Sequence, residues 1–191
     1  DPPIVSGCQL PDYNLYITEE GAVLYNSPPA CAYCTDASYD SQDYCENYGD
    51  DGSGGASWVL DTNIDEPACT GLDGIWMNGA IGGLEFDIIG ATLSGASAAS
   101  GGDAGDAGFT LNTNPVIDHP NCTDGLPCGK VLGFSLTGAT FGEGCGTMVE
   151  LDFSDGIPTG LINIVISDGD AQAMPFSNYG TSSSVEGCMD D

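Results

Sequence analysis

Apolar and polar residues alternate with a period of two along residues 13–25, YNLYITEEGAVLY. Leu15 and Ile17 precede the polar sequence EEG, and Val23 and Tyr25 follow it. Alternation of this kind places one face of a strand in the core, and a short polar link with glycine is typical of a hairpin turn. The pattern predicts two antiparallel strands joined by a tight turn.

A second alternating stretch begins at Ile81 and reads IGGLEFDIIGATLSG. Its apolar positions Leu84, Phe86 and Ile88 are separated by Glu85 and Asp87. We expect the apolar side chains to face the core and both carboxylates to face water.

Further strands are expected along the rest of the chain, with turn residues between them. No window has a sustained 3.6-residue apolar period, and no apolar run approaches the roughly 18 residues of a membrane-spanning helix. Six to eight short strands predict an all-β fold, either a β-sandwich or a barrel. The additional strands are predicted at 108–112, 130–137, 147–153 and 161–167.

Residues 28–79 differ from their surroundings, because they are rich in Asp, Tyr and Gly and show little strand alternation. A segment of this length inside a compact domain needs an internal constraint. We interpret it as an insertion closed by two disulfides, with Trp58 and Trp76 among its apolar anchors. Four cysteines allow three pairings, which the sequence leaves open. They are Cys31, Cys34, Cys45 and Cys69.

The small-residue stretch 94–108, SGASAASGGDAGDAG, resembles a linker in composition. It is either a flexible hinge or a short helical turn packed against the sandwich. The closely flanking apolar strands favour the packed turn. One domain is expected over 1–191, with the insertion at 28–79 and a polar tail at about 180–191.

The charge of the chain narrows the functional classes. Asp and Glu number 29 against a single basic residue, Lys130, and a single histidine, His119, giving a formal net charge of −28. Nucleic-acid binding requires Lys and Arg to neutralise phosphates, so we exclude it. Catalysis at neutral pH has few groups to use, since only Lys130 can act as an amine nucleophile or a cationic clamp. We expect no enzyme activity.

Nine cysteines indicate an oxidising compartment, extracellular or at the cell surface. The beginning Asp1-Pro2-Pro3 is expected for a mature secreted product. Cys122 and Cys128 are close enough in sequence to close a small disulfide loop. Cys188 is then left unmatched, and we expect it to bridge to another chain or to residues beyond Asp191.

Calcium is the metal that the sequence favours. Asp61, Asn63 and Asp65 have the D-x-N-x-D spacing that opens a calcium-binding loop. Glu66 and Leu72 stand where an EF-hand requires glycine and glutamate, so the segment is not an EF-hand.

Other oxygen-rich or cysteine motifs have simpler readings. The sequences at 50–52 and 168–170 are consistent with ordinary polar turns. Cys31-x-x-Cys34 could bind zinc, but it lacks a second close pair of ligands, and disulfides are favoured. No cofactor is required, and Ca²⁺ is the one ion expected.

Asn121 begins the only N-glycosylation sequon, Asn-Cys-Thr, in a short loop expected to be exposed. O-linked glycans on 181–184 are an alternative that a plain polar tail explains equally well.

Three segments carry a resemblance to a known family. They read GCQLPDYNLYITEEGAVLYNS, IGGLEFDIIGATLSGASAASGGDAGDAGFTL and VLGFSLTGATFGEGCGTMVELDF, in that order. Over residues 7–25 and 81–179 the chain resembles a secreted module repeated in extracellular proteins of aquatic bacteria of the marine Bacteroidetes type. That module is similar to cohesin-type β-sandwiches, which are extracellular binding or scaffolding domains. The resemblance, together with the alternating strands, therefore implies a cohesin-like or immunoglobulin-like β-sandwich.

The resemblance has two further implications. Cys8 and Cys145 occupy matching family positions at the beginning and end of the pattern, so it implies a Cys8–Cys145 disulfide. The family runs almost directly from VLYNS to IGGFQF, whereas residues 28–79 intervene here, as an elaboration on a loop of the sandwich.

Together these features favour a non-enzymatic structural subunit of an extracellular filament or pilus-like appendage, whose partner is another copy of the chain. The N-terminal segment DPPIVSG could add a strand to a neighbour's sheet. Membrane insertion is not expected. The alternative is a monomeric adhesion or carbohydrate-binding module, in which Trp58, Trp76 and nearby tyrosines stack on sugars.

Overall fold

The computed structural model describes residues 3–115 and 128–180, and the chain forms two compact units. The first combines Asp1–Ser27 with Ile81–Asp191, and the second is Pro28–Ala80. The second unit therefore matches the predicted insertion at 28–79 to within one residue. A two-residue strand, β6 (Ala80–Ile81), spans the sequence boundary. The structure is mostly β, and the prediction of an all-β sandwich-like fold is confirmed.

The first unit contains two five-stranded sheets, one with the strand order β15-β1-β2-β12-β8. Its strands are β1 (Asn14–Ile17), β2 (Ala22–Ser27), β8 (Ala99–Ser100), β12 (Gly144–Leu151) and β15 (Ser177–Asn178).

The other sheet has the order β14-β13-β7-β10-β9, with antiparallel pairing throughout. Its strands are β7 (Gly83–Leu93), β9 (Thr110–Asn114), β10 (Cys128–Phe134), β13 (Phe153–Ser167) and β14 (Ala173–Met174). A further short strand, β11 (Phe141–Gly142), precedes β12.

The predicted hairpin is confirmed as β1 and β2, which pair in register from Asn14 opposite Asn26 to Ile17 opposite Val23. Thr18 closes the turn, because its backbone N–H donates to the Ala22 carbonyl and its side chain accepts from the Ala22 N–H. Gly21 has φ +98°, a conformation that glycine adopts without steric cost.

The core of the first unit comes from the alternating apolar positions of the strands. Leu15 and Val23 of the first sheet are fully buried, as are Phe86, Ile88 and Val131 of the second. Burying side chains of this size stabilises the fold by about 1.5–3 kcal/mol each, before entropy losses. The period-two pattern of apolar residues therefore predicted most of these buried positions correctly.

The small-residue stretch is a packed turn, one of its two predicted forms, and contains α3 (Gly102–Asp106). Asp103 accepts a hydrogen bond from the Tyr25 hydroxyl at 2.8 Å. The Tyr25 ring meets Phe141 edge-on at 5.7 Å, and Phe141 meets Phe109 at 5.1 Å. The hydrogen bond and these ring contacts hold α3 against β2. The small alanine and glycine residues of α3 allow the helix to approach the strand closely.

Tyr25 makes the unit sensitive to alkali. Burial raises the pKa of Tyr25 well above the usual value near 10, and the Asp103 carboxylate raises it further. Above pH 10 the unfolded chain ionises this tyrosine and the folded chain does not, so stability falls as pH rises. We expect Tyr25→Phe to reduce the fall in unfolding free energy between pH 9 and 11, measured by urea denaturation.

Tyr179→Phe is the control, because Tyr179 is 40% exposed. Equal slopes for Tyr25→Phe and wild type would contradict this assignment.

The second unit has more regular structure than its sequence suggested. Its central strand β3 (Ala30–Cys34) pairs with β4 (Trp58–Asp61) on one side and β5 (Ile75–Met77) on the other. Two helices, α1 (Gln42–Gly52) and α2 (Glu66–Gly71), complete it. The turn expected at 50–52 is wrong, because these residues end α1. The helix is largely polar, so no apolar period revealed it.

Disulfides hold both helices to β3. Cys34 is bonded to Cys45 of α1, and Cys31 to Cys69 of α2, which selects one of the three open pairings. The two β3 cysteines differ in position by three, so they point to opposite faces and place one helix on each face. Cys45 and Cys69 are completely buried.

The resemblance-based pairing is also confirmed, since Cys8 is bonded to Cys145 with their Cα atoms 5.0 Å apart. Cys8 lies in a 3-10 helix (Gly7–Gln9) capped by Ser6, and Cys145 lies in β12. Cys128 is disulfide-bonded as predicted, whereas its expected partner Cys122 lies outside the described residues.

Candidate functional site

The second sheet carries a cluster of charged and amide side chains on the face opposite its buried apolar side chains. The cluster consists of Lys130 on β10, Glu85 and Asp87 on β7, and Asn163 on β13. Lys130 lies directly across from Asp87 in the strand register. Three adjacent strands therefore bring together the only lysine of the chain, two carboxylates and an amide.

The contacts within this cluster, the Lys130 cluster, are short. Lys130 Nζ donates to Glu85 Oε1 at 2.6 Å and lies 3.0 Å from Asp87 Oδ1. Asn163 Nδ2 donates to the other oxygen of the same carboxylate, Asp87 Oδ2, at 2.7 Å. One carboxylate thus contacts both the amine and the amide.

The Asp87 carboxylate is buried, although the sequence placed it on the water face. Its side chain is 2% exposed, against 35% for Lys130 and 40% for Glu85. That prediction is wrong for Asp87, because β7 is the central strand and side chains from β10 and β13 cover this position. The Lys130 ammonium, 3.0 Å from Asp87 Oδ1, is the charged partner that offsets the burial of this carboxylate.

The electrostatics of the cluster favour a charged lysine. Burial lowers the pKa of Lys130, but its contacts with Glu85 and Asp87 raise it by more, so the net pKa lies above its usual value. Sequence reasoning identified Lys130 only as a lone amine. The burial of Asp87 opposite it was not foreseeable, although a lone lysine in so acidic a chain was a signal.

Asn163 reaches the cluster because β13 is irregular there. Its register with β7 shifts between Ile162 and Val165, and Asn163 has φ +51°. Non-glycine residues are rare in this left-handed region, where asparagine is among the better tolerated. Backbone strain of this kind is often found at functional positions.

The predicted calcium ligands do not converge. Asp61 Oδ1 accepts from the backbone and side-chain nitrogens of Asn63 at 2.8 and 3.1 Å, which is turn chemistry. Asp65 is the N-cap of α2 and accepts from Ala68 N at 3.0 Å. Across residues 3–115 and 128–180, no three His, Cys, Asp or Glu side chains are grouped to hold a metal. Calcium stays a prediction.

The two tryptophans of the proposed sugar-stacking face point in different directions. Trp58 lies opposite Cys34 and Trp76 opposite Cys31, so they occupy opposite faces of the three-stranded sheet. Trp58 is partly buried against the Cys34–Cys45 disulfide. They therefore cannot form one platform.

Sequence reasoning missed a different aromatic pair. Tyr44 and Tyr48 are 57% and 52% exposed, with ring centroids 5.8 Å apart. They lie four positions apart on α1, which places them on one face of the helix. The spacing would have revealed the pair if the helix had been predicted.

The outer edge of β13 is a second candidate surface. This strand has 15 residues, yet on the side away from β7 it pairs with β14 only through Ile166 and Ser167. Ile157 and Val165 on it are each 58% exposed. Sheet edges with free backbone groups can pair with another strand.

Four predicted features lie outside the described residues. They are the glycosylation site Asn121, the disulfide partner Cys122, the unmatched Cys188 and the possible O-glycan positions 181–184. Within the described ranges, no helix is long and apolar enough to cross a membrane.

Comparison with known proteins gives no identification. No family model, curated protein or solved structure matches this chain.

Proposed function

We propose that this protein is a non-enzymatic structural subunit of an extracellular filament or pilus-like appendage, whose partner is another copy of itself. The observation that carries the proposal is the outer side of β13, where the described pairing with β14 is limited to Ile166 and Ser167. Main-chain hydrogen bonds across subunits are a general way to satisfy such an edge. A contact of this head-to-tail type does not close, so it propagates into a fibre.

The donor segment would be the N-terminal stretch of the next subunit. Val5 is 73% exposed and lies outside any strand, ahead of the Cys8–Cys145 disulfide. The disulfide anchors the chain at Cys8, and strand addition would require Val5 and Ser6 to release the hydrogen bonds that their N–H groups donate to Gln9 Oε1.

Two other features support an extracellular assembly. The three described disulfides are stable in an oxidising compartment. The net charge of −28 would oppose close packing of subunits, so Ca²⁺ or glycans such as one on Asn121 would lie between them. These partners follow from the need to screen like charges.

Electron microscopy of the native protein, with and without a calcium chelator, tests the proposal. We expect fibres from the wild type and none from Ile157→Lys, because a charge on the β13 edge blocks strand addition. Leu136→Lys is the matched control, since Leu136 is 84% exposed and outside β13. It should form fibres as wild type does.

The alternative is a monomeric adhesion or carbohydrate-binding module, which the exposed Tyr44–Tyr48 pair favours. Dispersed single chains under all conditions, together with glycan-array binding lost in Tyr44→Ala, would replace the filament proposal with this one.

A further inference from the structure

We propose that Lys130 and Asn163 become joined by an intramolecular amide bond between Nζ and Cγ, with Asp87 transferring the protons. The bond would cross-link β10 to β13 over the central strand β7. It concerns the folded chain alone and does not depend on filament assembly.

The geometry that carries the proposal is the shared carboxylate. Asp87 Oδ1 lies 3.0 Å from the nucleophile Nζ, and Asp87 Oδ2 accepts from the nitrogen that would leave, Asn163 Nδ2, at 2.7 Å. A general base must contact the group from which it takes a proton, and a general acid the group to which it gives one. Asp87 contacts both.

The reaction is balanced without any other reactant. Nζ gives one proton to Asp87 Oδ1, and the neutral amine attacks Cγ of Asn163. The Cγ–Nδ2 bond breaks as the Cγ–Nζ bond forms, and Nδ2 leaves as ammonia with a proton from Asp87. The second proton of Nζ is released to solvent or to the ammonia. No atom is oxidised or reduced.

The surroundings of Asp87 suit its role as a proton acceptor. Its side chain is 2% exposed, and its two oxygens contact Nζ and Nδ2, so little bulk water reaches the carboxylate that would carry the proton. Oδ1 contacts Nζ at 3.0 Å, the group whose proton it would accept. Asn163 is exposed to solvent, so ammonia can leave.

Glu85 opposes the reaction. Its carboxylate accepts from Nζ at 2.6 Å and favours the protonated amine, which is not a nucleophile. We therefore expect a slow reaction in the wild type and a several-fold faster one in Glu85→Gln.

Trypsin digestion of the denatured and reduced full chain provides the test. Trypsin cleaves after lysine and arginine, and Lys130 is the only such residue in the sequence. A lysine whose amine is acylated is not cleaved. We expect the aged wild-type protein to remain one chain and to weigh one ammonia less than its sequence predicts.

Three variants identify the chemistry. Lys130→Arg keeps a residue after which trypsin cleaves but removes the amine. Asn163→Gly removes the side-chain amide, and glycine tolerates the positive φ at this position. Asp87→Asn removes the proton acceptor. All three should be cleaved fully into two fragments. Loss of ammonia with full cleavage would indicate a succinimide and overturn the proposal. Complete cleavage of wild type, or resistance in Asn163→Gly, would also overturn it.

Discussion

Replacing both Cys8 and Cys145 by serine is expected to lower the free energy of unfolding of the first unit by about 4–5 kcal/mol, the largest effect we foresee. The two cysteines are 137 residues apart, and Cys31–Cys69 shortens the loop between them only in part. A disulfide that closes a longer loop removes more entropy from the unfolded chain. Urea denaturation of the oxidised proteins measures the difference.

Cys34→Ser with Cys45→Ser is the matched control, because this bond closes a loop of only 11 residues in the second unit. Its loss should cost about 3 kcal/mol or less. The cysteines of each pair are changed together, so that no free thiol is left to form other bonds. An equal or smaller cost for the Cys8–Cys145 pair would contradict the loop-length explanation.

Lys130→Met is expected to destabilise the first unit by about 2–3 kcal/mol relative to Lys130→Arg. Removing one partner of a buried ion pair costs about 3–5 kcal/mol when both are enclosed, because the other charge stays buried alone. We expect less here, since Lys130 is 35% exposed and Asn163 still donates to Asp87.

Comparing methionine with arginine separates the charge from the proposed cross-link, because neither side chain can form the amide. Adding Asp87→Leu to Lys130→Met should recover most of the lost free energy, since no charge is then left buried. Urea denaturation at neutral pH measures all three variants. Equal stability of Lys130→Met and Lys130→Arg would show that Asp87 does not need a cation.

Several strands of the first unit were predictable from the sequence, because apolar and polar positions alternate along them. Leu84, Phe86 and Ile88 are all buried, as the alternation indicated. Asp87 is an exception to this alternation, because it is polar and yet buried. Its exposure depends on the side chains of β10 and β13 that cover it. A periodic pattern reports the direction of a side chain within its strand and carries no information about its neighbours.

The second unit was harder to predict because its stability does not depend on amphipathic periodicity. Helix α1 is anchored through Cys45, so the rest of its sequence is free to be polar. Its cysteines revealed that the segment is constrained, but only the structure distinguishes Cys31–Cys69 and Cys34–Cys45 from the two other pairings.

The candidate sites show the same limit. Asp61 and Asp65 have ligand spacing, yet each already accepts backbone hydrogen bonds within its own turn or helix cap. Spacing along a chain does not show where side chains converge in space. The Lys130 cluster draws its members from three strands that are distant in sequence.

The ring closed by Cys8 and Cys145 contains the whole of Pro28–Ala80. A protease that cuts once within that stretch would leave the two flanking parts of the first unit covalently joined. The disulfide therefore allows the second unit to be cleaved, once or at both of its ends, without separating the strands on either side of it.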